Sequence, residues 1–202
     1  MLPFWKGRSV EDCFEKDLAL DVAEDMDKYI FTFMLEITYG IGHFTMDHTP
    51  VLSRGLDWII QKTCARLDQL APEEQKGEKA LFYQSVITSL NAVIAFAERY
   101  AESAQDLAQK ESDPDRKQEL EQIARICKKV PRSPATIFHE AIQAVYFIHL
   151  VAQIETGGNS ISLGRIDQIL FPYYKADIAS GRITKKRAQT LVSLLFLKVN
   201  EI

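Results

Sequence analysis

Residues 136–154 read TIFHEAIQAVYFIHLVAQI, a stretch with neither glycine nor proline. Ile137, Phe138, Ala141, Ile142, Val145, Tyr146, Phe147, Ile148, Leu150 and Val151 leave almost no face of it polar. An α-helix that is apolar all round needs cover on every side, so this segment is expected at the buried centre of a helical domain. Upstream, Phe82, Val86, Leu90, Val93, Ile94, Ala97, Ala101 and Ala104 recur at spacings of three and four, which sets them on one helical stripe. Ser112-Asp113-Pro114 breaks and restarts the chain. Asp113 can cap a new helix, and Pro114 suits its first turn, where a backbone N–H would have no helical partner. Leu120, Ile123, Ala124 and Cys127 continue the apolar pattern, so a helical hairpin is predicted over about 79–130. Between Glu98 and Lys129 the 8 acidic and 7 basic residues nearly cancel, as expected of a solvated outer face.

Working outward, Ser9-Val10-Glu11-Asp12 has the form of a capping box, and a first helix is predicted from there toward Thr38. A second is expected from Val51 to Leu70, closed by Pro72. Beyond the central helix, Gly157 and Gly158 precede the alternation Ser160-Ile161-Ser162-Leu163, which predicts a short strand. Pro172 and Gly181 punctuate the segment after it. The stretch from Ala188 to Ile202 carries Leu191, Val192, Leu194, Leu195, Phe196, Leu197 and Val199, again apolar nearly all round, and is expected to need covering neighbours.

Composition narrows the function classes. A chain of 202 residues with 47% hydrophobic and 26% charged residues can bury a core and is not disordered. Its net charge of -4 is the wrong sign for neutralising phosphates, so no nucleic-acid partner is expected. Uninterrupted apolar runs such as Ala144 to Ile148 fall well short of the roughly 20 residues a bilayer span needs. With no leader-type N-terminus either, the expectation is a cytoplasmic protein with no membrane partner. Cys13, Cys64 and Cys127 are odd in number, far apart and outside any CxxC pair, so they read as reduced thiols.

Three motifs invite chemistry. His139-Glu140 begins like a zinc-protease helix, but the position four after His139 is Gln143, so the second ligand is missing. His139 and His149 read instead as core histidines. Gly157-Gly158-Asn159-Ser160-Ile161-Ser162-Leu163-Gly164 fails as a dinucleotide fingerprint at Asn159 and as a nucleophile elbow at Ser162. It stays open as either a strand entry or a pocket lining. Gly40-Ile41-Gly42-His43-Phe44-Thr45-Met46-Asp47-His48 offers too few ligands of defined geometry for a metal site and stays open as a polar lining for a ligand.

Together, Pro134 to Gln143, Ile154-Glu155-Thr156-Gly157-Gly158-Asn159-Ser160-Ile161-Ser162-Leu163-Gly164-Arg165-Ile166-Asp167-Gln168 and Pro172-Tyr173-Tyr174 resemble the pyruvate formate-lyase-like domain of the glycyl radical enzymes. The resemblance covers nearly all of residues 1–202, with a hairpin insertion at about 79–130 and a barrel-lining segment at about 136–170. It implies a fold that is mainly α in this chain, with long helices, a helical hairpin and a short strand, and that forms part of a ten-stranded α/β barrel. It implies further that the chain is an N-terminal-side fragment. The family's cysteine loop and its Arg-Val-x-Gly-Tyr radical site do not occur in this sequence, so no catalytic residue is assigned.

Within the family the chain looks nearest to the glycerol and diol dehydratases and choline lyase. That likeness implies a lyase or dehydratase, with formate acetyltransferase-like chemistry as the broader class, acting on a small hydroxylated or amine-bearing substrate by radical elimination. It assigns His43, Asn159 and Ser160 to substrate binding, with Asn159 standing where the family pattern has histidine. No organic cofactor or metal is expected to bind. A glycyl radical in the complete enzyme would be installed by a radical-SAM activating partner, and the complete enzyme would be a homodimer. The rival reading is a stand-alone helical interaction or regulatory module derived from such an enzyme.

Overall fold

A computed structural model of the chain describes residues 42–156 and 160–201. Those residues contain seven helices: α1 (Thr49–Arg54), α2 (Leu56–Asp68), α3 (Glu78–Lys110), α4 (Pro114–Lys129), α5 (Phe138–Thr156), α6 (Ile166–Ala179) and α7 (Lys185–Val199). The helix expected from Ser9 toward Thr38 lies outside the described residues. Of the described residues, 42–45, 152–156 and 160–162 belong to one compact unit, and 46–151 with 163–201 form the other.

The larger unit is built on α5. Ala141, Val145 and Phe147 are buried, and Val130, Leu170, Leu191 and Leu195 from the end of α4, α6 and α7 join its core. On other sides α5 meets Val93 and Ile94 of α3 through Ile148, and Ala97, Ala101 and Cys127 of the hairpin through Phe147. Cover from four directions is what its all-round apolar composition calls for. The hairpin turn obeys its local chemistry. Asp113 Oδ1 accepts from the Asp115 and Arg116 amides at 2.9 and 3.0 Å, and Pro114 opens α4.

Two buried carboxylates pin the start of α5. Glu140 Oε2 accepts from the Thr136 amide at 2.7 Å, the Thr136 hydroxyl at 3.0 Å and Lys129 Nζ at 2.7 Å. Burial alone would raise its pKa, but the hydrogen bonds from Lys129 and Thr136 outweigh burial and hold it below the ordinary value. Asp177, at 2% exposure, reaches across from α6: Oδ2 accepts the Phe138 amide at 2.8 Å and Oδ1 pairs with Arg182. Both place negative charge at a helix N-terminus, where the backbone dipoles favour it.

Three expectations need correction. The helix from Val51 to Leu70 is two helices, broken at Gly55, whose φ is 78°. A Cβ there would lie 2.4 Å from the Arg132 carbonyl oxygen, because residues 131–135 cross at this point. The crossing strap satisfies the exposed helix ends: the Leu56 amide donates to the Pro131 carbonyl, the Asp57 amide to that of Arg132, and the Ala135 amide to that of Leu52. Pro172, expected to punctuate the chain, sits inside α6.

The expected strand and barrel are the largest correction. The described residues are almost entirely helical, with one isolated parallel bridge, Thr45 to Ser162, and no sheet or barrel among them. The alternation in residues 160–163 suits a strand, but a strand needs a continuous partner to satisfy its backbone. Here the pairing consists of that single bridge.

By length and composition α3 is apolar enough to cross a membrane, which a count of uninterrupted apolar residues overlooks. Its Val93, Ile94, Ala97, Ala101, Ala104 and Ala108 are buried, whereas Leu81, Phe82, Tyr100 and Leu107 are exposed.

Replacing Asp177 with alanine strands the buried Phe138 amide, and we expect a loss of about 2–3 kcal/mol in urea unfolding. Arg182→Ala should cost about 3 kcal/mol, because it leaves the buried Asp177 carboxylate without its cation. A loss near zero from either variant would contradict the role given to this carboxylate.

Candidate functional site

The two glycine-flanked segments singled out in the sequence lie side by side. Thr45 pairs with Ser162 in the parallel bridge, and the Ser162 amide donates to the Phe44 carbonyl at 3.0 Å. Two residues before the bridge on one segment stands His43, and two before it on the other stands Ser160. Both are exposed, and both have left-handed backbone, with φ of 58° and 55°. No other non-glycine residue among those described has positive φ. An L-residue in this region costs roughly 1–2 kcal/mol, which glycine would not incur. Asn159, the third residue assigned to substrate, lies outside the described residues.

His48, grouped with His43 in the sequence reading, has a different place. It is 1% exposed, and neither ring nitrogen has a hydrogen-bond partner. Burial first, then the neighbouring His149, pushes its pKa down to about 4, against a smaller opposing pull from Asp47. His149 is buried to the same degree, and burial lowers its pKa as well. A polar loop histidine and a buried one look alike in a single sequence. Their difference lies in which helices come to cover them.

Elsewhere the larger unit has several open grooves, of which two lie against α7. One, of about 480 Å³, runs between α6 and α7 and is lined by Phe138, Leu170, Phe171, Tyr174, Val192 and Phe196. The other, of about 660 Å³, brings His139, Gln143 and Tyr146 of α5 beside Arg116 and Cys127 of α4 and Lys198 of α7. His139 is held below its ordinary pKa by burial and by Arg187. Cys127 is buried among apolar neighbours, and burial pushes its thiol up to about 11. A thiol so hard to ionise packs rather than reacts. Among the described residues no three histidine, cysteine or acidic side chains are grouped to hold a metal ion.

The paired glycine-flanked segments and the helical scaffold define a class. Residues 1–202 match the pyruvate formate lyase-like family model over their whole length. The chain belongs to that family. It is 34% identical over 200 residues to the (2S)-3-sulfopropanediol dehydratase of Klebsiella oxytoca, covering 98% of this chain and 24% of that protein. Among solved structures it is similar to the glycerol-bound B12-independent glycerol dehydratase of Clostridium butyricum, with a TM-score of 0.85 and 36% identity, covering 98% of this chain and 25% of the other. It is likewise similar to a glycyl radical enzyme from Archaeoglobus fulgidus, with a TM-score of 0.83 and 33% identity, covering 99% and 26%. The chain thus spans about a quarter of the length of these relatives.

The buried histidine has a measurable consequence. Its folded pKa of about 4 lies below the ordinary 6.5, so the unfolded chain binds the proton more readily. The stability His48 contributes is complete above pH 6.5 and is lost as pH falls toward 4, by as much as about 3 kcal/mol. His139 and His149 shift in the same direction and add to the slope. Urea unfolding at pH 7 and pH 4.5 should show His48→Phe with a shallower pH dependence than the parent. An unchanged slope would place the acid sensitivity elsewhere.

Proposed function

We propose that this chain supplies part of the substrate side of a glycyl radical dehydratase or lyase that acts on a small hydroxylated or amine-bearing molecule. His43 and Ser160 are its hydrogen-bonding contacts, and Asn159 is the third. The observation that carries the reading is that His43 and Ser160 each stand two residues before the Thr45–Ser162 bridge, both on left-handed backbone. Family membership and likeness to a glycerol-bound dehydratase support the substrate class.

The glycyl radical of such an enzyme would supply hydrogen abstraction. The residues present do not fit that task. Buried Cys127 is held protonated, and none of the glycines stands in an Arg-Val-x-Gly-Tyr context. What these residues can do is bind and orient. An imidazole and a hydroxyl each donate and accept, so together they can hold two adjacent oxygens or an oxygen and an amine. A radical-SAM activating partner and a homodimeric complete enzyme belong to the same proposal, as does the cytoplasm as its place of action.

Asn159 sharpens the substrate. A carboxamide binds a hydroxyl but cannot protonate it near neutral pH, whereas an imidazole can. General-acid assistance to a leaving hydroxyl is worth roughly two to four orders of magnitude. In the activated enzyme carrying this sequence, Asn159→His should therefore raise glycerol or 1,2-propanediol dehydration by about a hundredfold or more. His43→Ala should lower kcat/KM by about ten- to a hundredfold on the native substrate. Efficient glycerol turnover undiminished beside the histidine variant would overturn the reading of Asn159, and an unaffected His43→Ala would overturn that of His43. The 202-residue chain assayed alone is expected to show no turnover.

A further inference from the structure

We propose that in the complete enzyme the open groove between α6 and α7 seats an acidic amphipathic helix from the part of the polypeptide outside residues 1–202. The proposal rests on the reading of this chain as part of a glycyl radical dehydratase or lyase. It names the chemistry of what covers one apolar face of that part.

Two observations carry it. The first is the groove, which measures about 480 Å³ and is lined by Phe171 and Phe196, each 55% exposed, with Tyr174 and Val192. On α7 the lining residues Lys185, Gln189, Val192 and Phe196 recur at spacings of four, three and four, so one stripe of that helix forms a wall. A channel between two helices suits the apolar face of a third, which anchors at i, i+3, i+4 and i+7. The second observation is charge. Lys185, Lys186 and Arg187 open α7, all three are exposed, and no acidic residue lies between Lys185 and Val199. No ion pair among the described residues holds any of the three. Backbone dipoles at a helix N-terminus favour anions, so three adjacent cations there oppose the dipole and one another. A helix serving its own stability would place acids in this turn. Cations kept against that preference, in a chain whose net charge is -4, point to an anionic neighbour.

Shape and charge together select the occupant. In an isologous dimer the same face meets itself, so cations would meet cations. A bilayer presents a plane, which does not fill a channel. A small ligand is bound where most of its surface can be buried, and this groove is open. Asp167, which also lines the groove, does not answer the cations of α7, because Arg165 holds it at 2.9 Å. The chain spans about a quarter of the length of its relatives, so an enzyme of that size has ample further polypeptide from which to supply the helix.

Charge reversal tests the proposal because it acts with opposite sign in two settings. In the 202-residue chain, Lys185→Glu with Lys186→Glu places acids where the helix dipole favours them and should raise the melting temperature by about 2–4 °C. In the complete enzyme the same two changes set acids against the acids of the seated helix and should lower it. A second variant reads cover directly. Phe196→Cys should react with a maleimide in the 202-residue chain and about tenfold more slowly in the complete enzyme, with modification at position 196 read by peptide mass. Carbodiimide, which joins an amine to a carboxylate in contact with it, should link Lys185 or Lys186 of the complete enzyme to an acidic residue outside residues 1–202, in a product of single-subunit mass. A melting temperature that rises in both settings overturns the proposal, as does equal labelling at position 196. Links found only to a second subunit or to another protein overturn it as well. Failure of the substrate-side reading shows separately, as unaltered kinetics of His43→Ala in the activated enzyme.

Discussion

The carboxylate of Asp177 is the interaction on which the larger unit depends. It is buried near the end of α6, yet it caps the first amide of α5 and pairs with Arg182 in the turn toward α7. Its own carbonyl accepts the Arg182 amide at 2.9 Å and so closes that turn. Two helices and the turn that leads to α7 are thereby joined at one side chain. A buried charge is tolerable only when its hydrogen-bonding capacity is filled, and here the filling groups come from elements that must be correctly placed to reach it. The requirement selects one arrangement of α5, α6 and α7 over other packings of the same apolar surfaces.

The strap at 131–135 does similar work at the opposite flank. Its carbonyls accept the first amides of α2, and its Ala135 amide is bound by α1. The close passage over Gly55 leaves no room for a side chain there. A break in a helix, which in isolation would expose unsatisfied backbone groups, becomes the point where the hairpin's end is fastened to the first two helices. Lys129, the last residue of α4, adds its ammonium to Glu140 and Thr136 at the start of α5. The hairpin and the central helix are thus tied by polar contacts at the rim and by apolar contacts beneath.

Local strain and costly burial recur around the two glycine-flanked segments. His43 and Ser160 accept a backbone conformation that glycine would adopt freely, and His48 surrenders hydration for both ring nitrogens without gaining a partner. A sequence selected for stability alone would carry neither feature. Such departures concentrate where binding or chemistry imposes a demand separate from folding, and the family to which the chain belongs includes dehydratases of small hydroxylated molecules.

Local chemistry was enough to place the hairpin turn, because Asp113 and Pro114 act on their own neighbours, and enough to mark residues 136–154 as central, because an all-apolar helix has only one kind of environment. The motifs from Pro134 to Tyr174 were enough to identify the family. Gly55 was not legible, since its need for glycine comes from Arg132 and Ser133 crossing far along the chain. The burial of Asp177 and His48 was equally hidden: each is an ordinary polar residue until other helices close over it. Residues 160–163 show the limit most directly. Alternation sets which side chains could share a face, but a strand exists only where a second segment offers its amides and carbonyls. The tertiary structure brings one such segment, at Thr45, for one bridge. Pairing is a property of two segments, and no single stretch of sequence contains it.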